Sequence, residues 1–450
     1  MKNRWIMLSA LALAIAGCSS GGGTDTAATN SGAGEAPELT KSDSLEVAAF
    51  KGGYGSDFYE AAAKEYAEKA GIKVDVVADP RIWEQIRPRF VQGTPPDLAF
   101  PGWGFDHWAL VAEDGVLPLD HALNEKPWGA ESGTWRDTFD PAILRLGQSN
   151  GKQYVMPFYV MSFGWWYDPN VFAKNGWTPP KTWDELLTLC EKIKAAGMAP
   201  ITYQGQYPFY MIDGMLTPWV VSIAGQGQLD KMQNLEPGAW KDPSVVKAAA
   251  MIKELKDKGY FQSGATAMSH TEAQTQFVNG KAAMIPCGTW LHSEMKNSMP
   301  ATAKMQYFLP PAVSGGAGDP SAVMVKIEPW LVPAQAKNQY HAIELFKYMT
   351  SLEKAKQFVT EKGTLMSVKG SDQVDLPEHL KAPSEALKAS KAVYSSQWGE
   401  WYPEFYKAVQ TGITKILNGE LTPEAFAEMC EKEAEKVRND PDIIKHKVGG

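Results

Sequence analysis

The sequence predicts an α/β fold divided into two lobes. Its length, a strand–helix–strand run near the start of the body, and several well-capped helices further on carry that expectation. A chain of 450 residues is longer than one hydrophobic core normally organises and suits two lobes of roughly 150–200 residues each. Leu45–Phe50 reads as a buried strand and Lys51–Ser56 as a loop. A helix follows with Ser56 at its N-cap, Phe58, Ala62 and Tyr66 on one face, and Gly71 as its stop. Ile72–Val77 is the next strand, and Asp97–Phe100 a short third one after the Trp83–Phe90 stretch. Two strands joined by a helix within about thirty residues are a parallel pair, which places the segment in a layered α/β lobe. Thr182 and Glu185 form a capping box for a helix whose apolar face is Leu186, Cys190 and Ile193, ended by Gly197. Thr422-Pro423 opens another, with proline at the first helical position.

Composition narrows the function classes. Hydrophobic residues make up 44% and charged residues 21% of the chain, values of an ordinary globular body. The net charge is −8 and no basic block occurs, which argues against a nucleic-acid partner. Aromatic residues are the unusual feature, with 16 Trp and 16 Tyr. Several stand in Gly/Pro-rich loops, as in Pro101-Gly102-Trp103-Gly104 and Gly288-Thr289-Trp290. Aromatics on loops serve binding more often than packing.

The N-terminus reads as an address. Lys2 and Arg4 precede a short apolar run, Trp5–Ala16, too short to span a bilayer as a helix. Ile15-Ala16-Gly17-Cys18 then resembles a bacterial lipobox, which implies a signal peptide over 1–17 and lipidation of Cys18; an ordinary signal peptide with a chance cysteine is the alternative. Residues 18–43 read as the lipidated cysteine and a flexible Ser/Gly/Thr/Ala tether, whose coil reaches on the order of 25–30 Å. Only Cys190, Cys287 and Cys430 remain beyond it, so one disulfide at most is available. Cys190 and Cys430 each fall on an apolar helical face and read as core.

In open α/β sheets a ligand sits beyond the carboxyl ends of the strands. Those ends here carry Tyr54, Arg81, Trp83, Trp103 and Asp106. Sugars need this mixture, because their C–H faces pack on aromatic rings while their hydroxyls need paired donors and acceptors. The plain structural alternatives are that Trp83 caps its own helix and Trp103 fills the lobe edge. Catalytic signatures are largely missing. Gly147-Gln148-Ser149-Asn150-Gly151 matches G-x-S-x-G, but the Asn-Gly before a strand-like Gln153–Phe158 is hairpin chemistry rather than a nucleophile elbow. No H-E-x-x-H, P-loop or spaced histidine cluster occurs, so neither a metal nor a cofactor is expected. Acidic residues are plentiful enough that a two-carboxylate hydrolase of surface polysaccharide stays open by count alone.

Several stretches, in this order, resemble the extracellular solute-binding proteins of carbohydrate ABC importers. They are Gly52-Gly53-Tyr54-Gly55, Gly93–Leu98, Gly176–Leu186, Gly280–Trp290 and Ala342–Met349. The similarity spans the body from about residue 44 to the end. Phe50–Gly55 and Thr202–Tyr210 further resemble the branch that binds N-acetylglucosamine and chitobiose. The resemblance implies a two-lobe periplasmic-binding-protein fold of type II character, with hinge-linked lobes and the ligand cleft between them. The first lobe would hold 44–158 and about 310–364, the second 159–309 and about 365–450. It implies a sugar ligand, a membrane permease with a cytoplasmic ATPase, and a monomeric binding protein that is not an enzyme; a non-transport sugar receptor is a further alternative. By position it adds Tyr159, Tyr207, Phe209 and Trp290 to the expected ligand contacts, together with Glu328 and Trp330, which follow a strand read over Val323–Lys326, and with Trp398 and Trp401. Trp103 and Trp290 are expected to face each other across the cleft. Met161 stands where maltodextrin binders place an acidic group, which argues against a maltodextrin ligand.

Overall fold

The computed structural model describes residues 38–103 and 105–448. The signal peptide, Cys18 and most of the tether lie outside them. The first strands are β1 (Ser44–Phe50), β2 (Lys73–Asp79) and β3 (Leu98–Phe100). They form a parallel sheet in the order β2-β1-β3, with Ser44 opposite Lys73 and Val47 opposite Leu98. The helix Asp57–Ala70 buries Phe58, Tyr59, Ala62, Ala63 and Tyr66, the four-residue repeat of one helical face. Gly71 ends it in the left-handed region at φ 69°, a conformation that costs glycine little. Ser56 holds the N-cap position, but its hydroxyl donates to Glu60 Oε1 at 2.7 Å instead of accepting from the backbone.

The hairpin β4 (Gln148–Ser149) and β5 (Lys152–Gln153) turns through Asn150 (φ 51°) and Gly151 (φ 76°). Two consecutive positive φ values are a type I′ turn, so Ser149 sits in a hairpin as the residues imply. Its hydroxyl is buried 2.8 Å from His446 Nδ1 and braces the C-terminal tail. The Thr182–Glu185 capping box is present, and Leu186, Cys190 and Ile193 are buried beneath it. Thr422 caps the helix Pro423–Asn439. Cys190, Cys287 and Cys430 are all buried and free.

Two long strands connect the lobes. β6 (Met156–Tyr167) pairs in its first half with β11 (Leu365–Met366), and in its second half with β8 (Ala282–Gly288) and β9 (Gln306–Phe308). β10 (Val323–Trp330) runs antiparallel to β6 along most of its length. β7 (Ala199–Ile201) and β12 (Val393–Tyr394) complete the larger sheet, whose main path is β12-β10-β6-β8-β7. The register of β10 on β6 slips between Ile327 and Pro329. A proline lacks the N–H that a regular ladder needs there.

Two buried clusters fill the lobes, one within the first lobe and a larger one that fills the second and reaches into the first at Ala48, Ile82, Ala99 and Trp108. Trp135, Phe158, Trp330 and Phe346 anchor one, and Trp165, Trp219 and Trp240 the other. The chain crosses between them at different places than expected. Residues 310–322 belong with the second lobe: Ala312 N donates to Lys181 O at 2.9 Å and Gly318 N to Ser222 O at 3.1 Å. Residues 365–368 belong with the first, where Met366 pairs with Tyr159 and Ser367 N donates to Phe158 O at 3.0 Å. The last part of the expected tether is also part of the body. Thr40 Oγ1 donates to Ala336 O at 2.8 Å, and Asn338 Nδ2 to Ser42 O at 2.9 Å.

Candidate functional site

Residues directly opposite in an antiparallel pair share a face of the sheet, and alternate residues along a strand return to it. Met161 lies opposite Lys326 and Phe163 opposite Met324, so Tyr159, Met161, Phe163 and Lys326 occupy one face of the crossing strands. At a rise of about 3.3 Å per residue, Tyr159 to Phe163 is a floor of roughly 13 Å. Tyr54, from the loop after β1, meets Tyr159 edge-on with ring centroids 5.1 Å apart. Trp290 and Tyr210, both from the second lobe, meet Phe163 at 5.3 and 5.9 Å. Trp290 Nε1 donates to Tyr210 Oη at 3.4 Å, and the Trp290 ring packs against both cores. Gly288 makes this ring position possible, since a Cβ there would lie 1.9 Å from the Trp290 ring. The lobes touch at this end through Ser293 Oγ, which donates to Gly53 O at 3.4 Å.

Beside the middle of the floor, opposite Met161, the β10 side is charged. Lys326 Nζ stands 3.2 Å from Asp213 Oδ2 and 3.9 Å from Glu400 Oε1. Trp108 Nε1, from the first lobe, donates to Glu400 Oε2 at 3.3 Å. Four separate stretches of chain therefore converge on one spot. Burial alone would lower the Lys326 pKa, but the Asp213 and Glu400 charges outweigh it and hold the ammonium above its usual range. Burial raises the Asp213 carboxyl, with Lys326 opposing. Several polar atoms here are buried with no hydrogen-bond partner among the described residues: both Asp213 oxygens, Tyr406 Oη, both His107 nitrogens, and Nε1 of Trp398 and Trp401. Buried polar groups are normally paired, so this concentration of unpaired donors and acceptors marks a place suited to a hydroxyl-rich molecule.

Glu328 lies two residues further along β10. Its Oε1 accepts from Tyr59 Oη at 2.7 Å and from Trp330 Nε1 at 2.6 Å, while Oε2 has no partner among the described residues. Burial pushes its carboxyl up to about 8, against the lowering effect of the Trp330, Tyr59 and Tyr159 hydrogen bonds.

Of the residues expected at the site, Tyr54, Tyr159, Trp290 and Glu328 come together at the crossing strands. Phe209 is half-buried and stacks on Tyr210 at 4.2 Å, while Tyr207 is exposed against His270. Arg81 is an exposed helix N-cap paired with Glu84 at 3.6 Å. Asp106 caps the helix His107–Ala112 by accepting from Ala109 N at 2.9 Å. Trp83 is half-buried against Phe50. Trp103 is 49% exposed and edge-on to Phe100, while Trp290 meets the rings of Phe163 and Tyr210. Trp330 is a correction. It is fully enclosed by Tyr59, Phe100, Phe158 and Phe346, because the strand expected to end near Lys326 continues through Pro329 and carries the ring into the first-lobe core. Trp398 and Trp401 are buried too, Trp398 against Trp240 and Phe405, Trp401 against Trp108 and His446. The sequence reading missed Asp213, Lys326, Glu400, Trp108 and Tyr210. One signal was available, since Asp213 and Lys326 are lone charges in the apolar runs Met211–Leu216 and Val323–Ile327.

Two α/β lobes joined by crossing strands, with aromatic and polar side chains gathered where they cross, define a binding protein of the hinged two-lobe class. The chain belongs to the bacterial extracellular solute-binding protein family, whose model matches residues 61–389. It is 27% identical over 411 residues to the diacetylchitobiose binding protein NgcE of Streptomyces coelicolor, covering 90% of this chain and 87% of that one. It is 24% identical over 285 residues to a multiple sugar-binding protein of Streptococcus mutans, covering 61% and 64% of the two chains. Among solved structures, a chitin oligosaccharide binding protein superposes with a TM-score of 0.72 at 24% identity, covering 87% of this chain and 98% of its own. RafE of Streptococcus pneumoniae in its apo form does so at 0.71 with 18% identity, covering 89% and 99%. These likenesses bear out the two-lobe α/β fold. Among the described residues no group of His, Cys, Asp and Glu is arranged to hold a metal ion, and no helix is long and apolar enough to cross a membrane.

Proposed function

We propose that the chain is the sugar-capturing component of an ABC importer and that it acts without chemistry on the sugar. The observation that carries this reading is the gathering of buried aromatic and unpaired polar side chains over the crossing strands. Aromatic rings stand at both ends of the floor and unpaired hydrogen-bonding groups beside its middle, the two features a sugar's C–H faces and hydroxyls require. The relatives' names point the same way, and the diacetylchitobiose binder among them favours N-acetylglucosamine or chitobiose as the ligand. In this reading the protein is exported, held to the cell envelope by a lipidated Cys18, and monomeric. It delivers its sugar to a permease driven by a cytoplasmic ATPase. Tyr54, Tyr159 and Trp290 provide ring surface, and Glu328 a hydrogen-bonding group beside them. Phe209 supports the Tyr210 ring from behind, and Tyr207, Trp103, Trp83, Arg81 and Asp106 stand at the rim.

A hydrolase is the competing reading, and one experiment separates the two. The purified protein is screened by thermal shift against mono- and oligosaccharides, and each sugar is then recovered and analysed by chromatography. Chitobiose or N-acetylglucosamine is expected to raise the melting temperature and to be recovered intact after prolonged incubation. Shorter products would establish a hydrolase, and a flat screen across all sugars would remove the sugar from the account.

A further inference from the structure

We infer that Asp213 and Lys326 form a hydroxyl-reading pair, a subsite that takes two neighbouring hydroxyls of one sugar ring, the carboxylate accepting from them and the ammonium donating to them. The inference rests on the sugar-binding reading and names where that reading draws its stereochemical selectivity.

The local backbone is built to present Asp213. Residues Ile212–Leu216 form a π-helical turn between the helices Phe209–Met211 and Thr217–Ala224. Such turns shift side chains off the regular helical face and recur at functional sites. This one is pinned from below. Gly214 O accepts from Trp165 Nε1 at 2.9 Å, and a Cβ on Gly214 would lie 2.8 Å from the Pro286 side chain. The turn therefore rests directly on β6 and β8 and carries Asp213 to the charged side of the floor. Lys326 meets it there from β10, directly opposite Met161. The floor strand itself offers only a thioether at that point, and the carboxylate arrives from a helix instead.

The hydrogen bonding of Asp213 separates a ligand group from a structural ion pair. Two other buried acids, Asp97 and Glu431, use both of their oxygens. Asp97 accepts from Glu46 N, Lys337 N and Asn338 N at 2.8–2.9 Å. Glu431, also paired with a cation, accepts from Gly238 N at 2.9 Å, Trp240 N at 3.1 Å and Arg438 at 2.8 Å. Asp213 is 0% exposed, and no aligned hydrogen bond reaches either of its oxygens among the described residues, although the Ser396 hydroxyl and the Lys326 ammonium lie near. Lys326 supplies the countercharge at 3.2 Å without an aligned bond. Leaving a buried carboxylate's lone pairs unused is costly, and ligand hydroxyls remove that cost. Because Lys326 already balances the charge, a neutral polyol suits the subsite better than a cation. Tyr406 Oη and Trp398 Nε1, both buried and unpaired, belong to the same region. Tyr406 is close enough to Asp213 and Glu400 for both charges to raise its phenol.

The test is titration calorimetry of chitobiose into wild type, Asp213→Asn and the double variant Asp213→Asn/Lys326→Gln, with melting temperatures measured without sugar. The double variant removes both charges together and so leaves no lone buried charge. Both variants are expected to lose at least about 30-fold in affinity, a figure within the range of buried polar contacts at binding hot spots. The double variant is expected to melt within a few degrees of wild type. Affinity within about threefold of wild type in either variant would make the pair purely structural. A double variant that no longer folds would equally overturn the inference, by showing that the pair holds the body together. A wild type that binds chitobiose while the variants do so equally well leaves the sugar reading standing and this subsite fallen. A wild type that binds no sugar at all overturns both.

Discussion

Trp290→Ala is expected to weaken sugar binding about 30- to 1000-fold. Removing an aromatic anchor from the centre of a binding surface typically costs about 2–4 kcal/mol, and each tenfold in affinity is about 1.4 kcal/mol. The ring is well placed for that role. It stands at the end of β8 over Phe163, only half-buried, and contributes to both lobes rather than filling either core. Its single hydrogen bond, to Tyr210 Oη at 3.4 Å, is long. The unliganded variant should therefore melt within a few degrees of wild type and lose its sugar-induced thermal shift. A variant that melts far earlier yet binds sugar normally once folded would make Trp290 a structural ring and move the site elsewhere.

Trp330→Ala is expected to do the opposite. Its ring is fully buried among first-lobe aromatics, and truncating a core tryptophan costs about 3–5 kcal/mol. It also removes one of the two donors to Glu328 Oε1, and a buried acceptor that loses a donor adds to the cost. A fall in melting temperature of roughly 10 °C follows for a lobe of this size. The fraction that remains folded should bind sugar with near wild-type affinity. Calorimetry showing lost binding with unchanged melting would restore Trp330 to the ligand site.

The contrast between these two tryptophans shows what the sequence made legible. Helix caps and the Asn150-Gly151 turn were readable because each is a local rule, satisfied by residues within four positions of one another. Tyr54 and Trp290 were readable because strand-end loops are where this architecture collects ligand groups. Trp330 was misread because the strand does not stop at Lys326. It continues through a register slip at Pro329, which the apolar pattern does not mark. Trp398 and Trp401 were legible only in part, because their rings pack among buried aromatics while their indole nitrogens stand unpaired near the charged cluster. Asp213, Lys326, Glu400 and Trp108 were missed for a different reason. Their meaning lies in convergence from four distant stretches of chain, and no local pattern encodes that. The lobe boundary failed for the same cause, since residues 310–322 are assigned by bonds to Lys181 and Ser222 rather than by their own sequence.

Lobes that touch at Ser293 and Gly53, with Asp213 fully buried, correspond to the closed arrangement of a clamp. A ligand closes such a clamp only if it binds the closed state better than the open one. Small-angle scattering of the purified protein, with and without a saturating concentration of a sugar shown by calorimetry to bind, tests this directly. The sugar-bound protein is predicted to have the smaller radius of gyration, matching the closed arrangement, and the sugar-free protein a larger one. Saturating binding with superimposable scattering profiles would contradict the clamp and leave a rigid binder in its place.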